Sequence, residues 1–180
     1  QYEGAFDTGG KGLDTQDVRP YLPRTSNATT ATRLLTRSAV ERAKNDSQGT
    51  YPFRTASNGY EHLDEDIALL KELGIDIYRF SISWARLFPN GDECDPNAAG
   101  LAYYDRVFAA VRGAGMKVFL TLTHYALPLN LVECHGGWTN RALIDLYVHF
   151  AQVVFERWGE SIDYYLPFNE INAGYFSPWN

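Results

Sequence analysis

Cysteine is nearly absent from this chain. Only Cys94 and Cys134 occur, far apart and without C-x-x-C spacing, which excludes a disulfide framework and leaves two free thiols suited to a reducing cytosol. An excess of basic residues is lacking as well. Lys and Arg number 16 against 22 Asp and Glu, for a net charge of −6, and the cations are scattered, so neither a groove for a phosphate backbone nor a polybasic membrane patch is expected. Nucleic acid is therefore an unexpected partner. No apolar run approaches the roughly 20 residues that span a bilayer, and the chain opens on QYEGAFDTGG rather than on a charged, then apolar leader. No membrane association and a cytoplasmic location follow as expectations. Glu133, Cys134 and His135 are contiguous and lack metal-ligand spacing, so no metal is expected. No G-x-G-x-x-G follows a strand-like run, and no cofactor is implied. What is present is a globular composition, 45% hydrophobic and 14% aromatic, in a chain long enough to bury a single core.

A long polar stretch from about Val18 to Ser57 reads mostly as loop, with a short helix over Ser38 to Lys44. The pattern then becomes regular. Asn58 and Glu61 have the spacing of a capping pair, and Leu63, Ile67, Leu70 and Leu73 recur at helical spacing up to Gly74. IDIYRFSISW alternates, with Tyr78, Phe80 and Ile82 on one face and Ile77, Arg79, Ser81 and Ser83 on the other. Leu101, Tyr104, Phe108 and Val111 mark a second helix ended by Gly113 and Gly115, and KVFLTLTH is a strand buried on both faces. A third helix carries Leu143, Leu146, Tyr147, Phe150 and Val154, stops at Gly159, and leads into a strand ending in Asn169 and Glu170. Alternating helices and strands with short connections predict right-handed βαβ units and a parallel sheet. Polar residues stand at successive strand ends, at Arg79 to Ser83, at His124 and at Asn169-Glu170, which is the habit of a (β/α)8 barrel rather than of a doubly wound sheet.

A Glu closing a buried parallel strand is placed where burial can keep a carboxyl protonated for acid catalysis. It can equally cap the next helix. His124 ends its strand in the same way and reads either as a hydrogen-bonded structural residue or as a functional one. Arg79 can be functional or simply paired to a core carboxylate.

QYEGAFDTGGKGLDTQD, YRFSISWARLFPNG, GLAYYDRVF, LTHYALPLNL, GGWTNRALID and PFNEIN stand in an order and spacing that resembles glycoside hydrolase family 1, the β-glucosidases and 6-phospho-β-glycosidases. FPNGDE and PLNLVECHGGW look more like the phospho-specific branch. The resemblance implies a retaining β-glycosidase with a small carbohydrate substrate, and it attaches roles to residues. Glu170 matches the acid/base, Asn169 the residue that holds the sugar 2-hydroxyl, and Arg79 the arginine that contacts the nucleophile. Gln1 and His124 match residues that bind sugar hydroxyls, while Trp138 would shape the entrance to the site or pack in the core. Pro167 departs from the family's usual Thr and removes a ladder donor beside Glu170.

Retaining glycosidases use two carboxyl groups about 5 to 5.5 Å apart. Only Glu170 lies in a matching motif; no T-E-N-G or S-E-N-G run, which carries the nucleophile in the family, occurs here. Residues 1–180 are accordingly read as the N-terminal part of one barrel domain, from the end of its first strand to the end of its fourth. A non-catalytic sugar-binding or inactive barrel fragment is the alternative; a metal-dependent barrel hydrolase would need ligands near Glu170. Open strand edges leave a homo-oligomer open.

Overall fold

The computed structural model describes residues 2–21 and 35–172. Seven α-helices and three strands lie among them: α1 (Arg37–Asn45), α2 (Pro52–Thr55), α3 (Leu63–Glu72), β1 (Ile77–Ser81), α4 (Trp84–Leu87), α5 (Ala98–Gly113), β2 (Lys117–Thr123), α6 (Leu129–Glu133), α7 (Ala142–Trp158) and β3 (Tyr164–Phe168). The strands pair in the order β1-β2-β3 and both pairings are parallel. Arg79 stands beside Phe119, and Phe119 beside Tyr164. The repeating helix–strand unit expected from the periodicities is therefore present.

Each long helix is delimited by its own chemistry. In α5, Asn97 Oδ1 accepts the amide of Ala99, satisfying a first-turn donor, and Gly115 leaves the far end at φ +84°. The first turn of α3 carries Asp64, Glu65 and Asp66, whose charges complement the helix N-terminus. One face of the sheet is covered by these helices: Val118, Leu120 and Leu122 of β2 are buried in one cluster with Ile67, Phe108, Val111, Phe150, Val154 and Trp158. Ile77 and Tyr164 on the other face stay 45% and 46% exposed.

Four expectations need adjustment. The Asn58–Glu61 capping pair does not form. Asn58 takes φ +54° and α3 begins at Leu63, because the amides of Gly59 and Tyr60 are pinned to the carbonyls of Tyr2 and Glu3 instead of turning into a helix. The tail of an earlier strand is not seen either, since residues 2–4 form none. IDIYRFSISW is extended only over Ile77–Ser81, and Trp84 already starts α4. The polar stretch before Ser57 holds the helix expected over Ser38 to Lys44, as α1, and one further short helix that was not expected, α2. Thr36 Oγ1 accepts from the amide of Ala39 and caps α1, and Arg54 of α2 donates to the carbonyls of Asp17, Ala43 and Asp46, tying both short helices to the body.

Candidate active site

Three successive strands deliver side chains to one end of the sheet. Arg79 of β1 donates from Nε to Thr121 Oγ1 at 2.9 Å and from Nη2 to Asn169 Oδ1 at 2.6 Å. One guanidinium thus bridges β1, β2 and the end of β3. Of the two readings open for Arg79, pairing to a core carboxylate is not seen among the described residues; its partners are a hydroxyl and an amide.

At the end of β2 the chain turns sharply. The amide of Ala126 donates back to the carbonyl of His124 at 2.9 Å, and Tyr125 between them takes φ +67°, a three-residue turn that a bulky residue adopts only under strain. The His124 and Tyr125 rings meet edge to face. Partial burial of the His124 ring lowers its pKa below the usual 6.5, and the positive Arg79 lowers it further, while Glu170 pulls weakly the other way. His124 therefore lies within electrostatic reach of both.

The end of β3 shows how consecutive residues serve one site. Pro167 has no amide to give and Leu122 has no partner in the register, yet the Pro167 carbonyl accepts from Tyr147 Oη at 2.6 Å. The ladder resumes when the amide of Asn169 donates to the carbonyl of Thr123. Glu170 then takes φ +45°, breaking the strand alternation that would otherwise point Asn169 and Glu170 to opposite faces. Its side chain is exposed. Trp138 flanks this strand end, with its ring 5.4 Å from Phe168 and 5.8 Å from Tyr147, and is 39% exposed. The site thus gathers Arg79, Asn169, His124 and Glu170, with Trp138 alongside; Gln1 lies outside the described residues.

Beneath these groups is a buried polar support that the sequence reading missed. Arg86, fully buried, donates to Glu3 Oε2 and to the carbonyls of Gly4, Ala5 and Thr8. Tyr104 Oη donates to Glu3 Oε1 and accepts the amide of Ser83. Burial pushes the Tyr104 phenol well up, and the Glu3 charge adds to this, so it stays a donor. A cavity of about 370 Å³ runs along β1, lined by Glu3, Tyr78, Arg79, Ser81, Thr121 and His124 among others. Among the described residues no group of three or more His, Cys, Asp or Glu is placed to hold a metal, and no helix is long and apolar enough to cross a membrane.

A sheet of this order whose strand ends carry amide, imidazole, guanidinium and carboxyl groups has close relatives among sugar-cleaving barrels. A rice beta-glucosidase superposes with a TM-score of 0.77 at 28% identity, over 97% of this chain and 32% of its own. A beta-glucosidase from Thermotoga maritima gives 0.74 at 29% identity, over 94% and 34%. The fold is part of a (β/α)8 barrel. Residues 1–179 match glycosyl hydrolase family 1, and the chain belongs to that family. The 6-phospho-beta-glucosidase of Dickeya chrysanthemi is 40% identical over 179 residues, 99% of this chain and 35% of that protein. The chain thus spans about a third of the length of the relatives it matches.

Proposed function

We propose that these residues belong to the barrel of a retaining β-glycosidase that cleaves 6-phospho-β-glucosides or 6-phospho-β-galactosides by double displacement. The observation that carries this reading is the Arg79–Asn169 hydrogen bond beside Glu170 in its left-handed turn. It gives one rigid strand end both an amide for a sugar hydroxyl and a carboxyl for the glycosidic oxygen. Glu170 is the acid/base, Asn169 holds the 2-hydroxyl, and His124 and Gln1 hold other hydroxyls of the same sugar. Trp138 forms a wall, and Arg79 orients the nucleophile. Double displacement has support in a mutant of the rice enzyme, solved in a covalent complex with Glc. Phosphate preference has support in the name of the Dickeya relative. In this reading residues 1–180 are one part of a single catalytic domain, the protein acts in the cytoplasm without a cofactor, and the nucleophile comes from later strands.

The test uses the full-length protein that this reading requires. On an aryl 6-phospho-β-glycoside its kcat/KM should exceed that on the unphosphorylated analogue at least about tenfold, since a hydrogen bond to a charged group contributes roughly 1.5–3 kcal/mol. Residues 1–180 alone should release no aryl product from either. A preference for the plain glycoside overturns the phosphate assignment. No turnover by the full-length protein favours a non-catalytic sugar-binding barrel instead.

A further inference from the structure

Thr121 is completely buried in the middle of β2, and its hydroxyl accepts from Arg79 Nε at 2.9 Å. We propose that Thr121 is a positioning residue for catalysis: through Arg79 it fixes the amide of Asn169 so that the NH2 group faces the substrate. The inference deepens the proposed function and rests on its assignment of Asn169 to the sugar 2-hydroxyl.

The argument starts from Arg79, a long side chain that is exposed as a residue and so is free to take many rotamers unless something holds it. The Nε bond fixes the plane of the guanidinium against a buried, rigid strand, and the same plane directs Nη2 at Asn169 Oδ1. Guanidinium only donates. The atom of Asn169 that faces it must be the oxygen, which settles the amide orientation and turns the NH2 group away from Arg79. A sugar hydroxyl meeting Asn169 then accepts from that NH2. With the Thr121 hydroxyl removed, Arg79 Nε loses its acceptor, the guanidinium is free to rotate, and Asn169 can present either end of its amide. Lys in place of Arg79 would not reproduce this, since a point charge lacks the fork. Among the described residues the guanidinium also lies 5.6 Å from the Phe119 ring, a contact without the direction of a hydrogen bond.

The substitution Thr121→Val keeps the shape and removes the hydroxyl, and Thr121→Ser keeps the hydroxyl. The measurement is kcat/KM of the full-length enzyme on an aryl β-glycoside with an activated leaving group and on its 2-deoxy counterpart. Thr121→Val should lose at least about tenfold more on the first than on the second, any loss common to both being the part that acts through the nucleophile beside Arg79. Thr121→Ser should recover to within about threefold of the unsubstituted enzyme. Combined with Asn169→Ala, Thr121→Val should cost no more than that common part. Should Thr121→Val not fold, Thr121→Ala is expected to show the same contrast between substrates. Equal losses on both substrates, or the full loss of Thr121→Val persisting in the Asn169→Ala background, would mean that Thr121 does not act through Asn169, and would overturn the inference while leaving the role of Asn169 intact. Asn169→Ala losing equally on both substrates, so that the unsubstituted enzyme's preference for the 2-hydroxyl persists, would overturn both.

Discussion

Replacing Arg86 by Met tests the support beneath the site. Arg86 is fully buried, and its guanidinium lies 2.9 Å from Glu3 Oε2, 3.2 Å from the carbonyls of Gly4 and Thr8 and 3.3 Å from that of Ala5. It also stacks 4.5 Å over the Tyr60 ring. Met fills much of the volume, so the loss is mainly electrostatic: Glu3, whose side chain is 12% exposed, keeps Tyr104 but loses its cation, and the backbone from Gly4 to Thr8 loses its donor. Breaking a buried pair by removing one partner costs about 3–5 kcal/mol, a large share of the ~5–15 kcal/mol that holds a domain folded. The segment most exposed to this loss is bound to the body by the amides of Gly59 and Tyr60, which donate to Tyr2 and Glu3. Hydrogen exchange reads these amides directly. In the folded Arg86→Met protein they should exchange roughly a hundredfold faster, since each 1.4 kcal/mol is a factor of ten, while amides within β2 change much less. Exchange at Gly59 and Tyr60 within twofold of the unsubstituted protein would refute the reasoning.

Gly100 and Gly113, both in α5, should respond to alanine with opposite signs. A Cβ on Gly100 would lie 2.2 Å from the carbonyl oxygen of Arg86, whereas one on Gly113 meets nothing within 4 Å. Thermal unfolding should show Gly100→Ala losing about 1–3 kcal/mol or more and Gly113→Ala gaining up to about 1 kcal/mol. His124 should titrate below 6.5, the direction set by partial burial and then by Arg79, and Arg79→Met should move its NMR titration midpoint upward. Because its folded pKa is depressed, the unfolded chain binds more protons between the two values. The contribution of neutral His124 to stability is therefore present above about pH 6.5 and lost as the pH falls through the folded value.

Sequence periodicity was sufficient for α3, α5 and α7 because each has a continuous apolar stripe and ends at or near a glycine. The strands were legible because β2 reads as an apolar run bounded by glycine and a polar end. The start of α3 was misjudged at Asn58 for a reason no local pattern contains: the amides that would begin the helix bond to Tyr2 and Glu3, far back along the chain. The same limit hid the Glu3–Arg86–Tyr104 support, whose members are separated by up to 101 positions. Arg79, His124, Asn169 and Glu170 stand out in the sequence through motifs, whereas the break in alternation that lets adjacent residues serve one site lies in the backbone of Glu170 at φ +45°. Thr121 does not stand out. Its only sequence signal is a hydroxyl residue inside an otherwise apolar strand, two positions from Thr123, and choosing between them requires the register that sets Ser81 beside Thr121.

The central claim, that Glu170 is the acid/base of a retaining glycosidase, is tested most directly by Glu170→Ala in the full-length enzyme. General acid assistance contributes about 10²–10⁴-fold, and it matters most when the departing oxygen is poorly stabilised. The account predicts a loss of that order in kcat/KM on an aryl glycoside with a poor leaving group and a much smaller loss on an activated one. Added azide should restore turnover and yield the β-glycosyl azide, because the small anion occupies the space left by the carboxylate and attacks the glycosyl-enzyme from the same face as water. Equal losses on both substrates, with no rescue by azide, would contradict it.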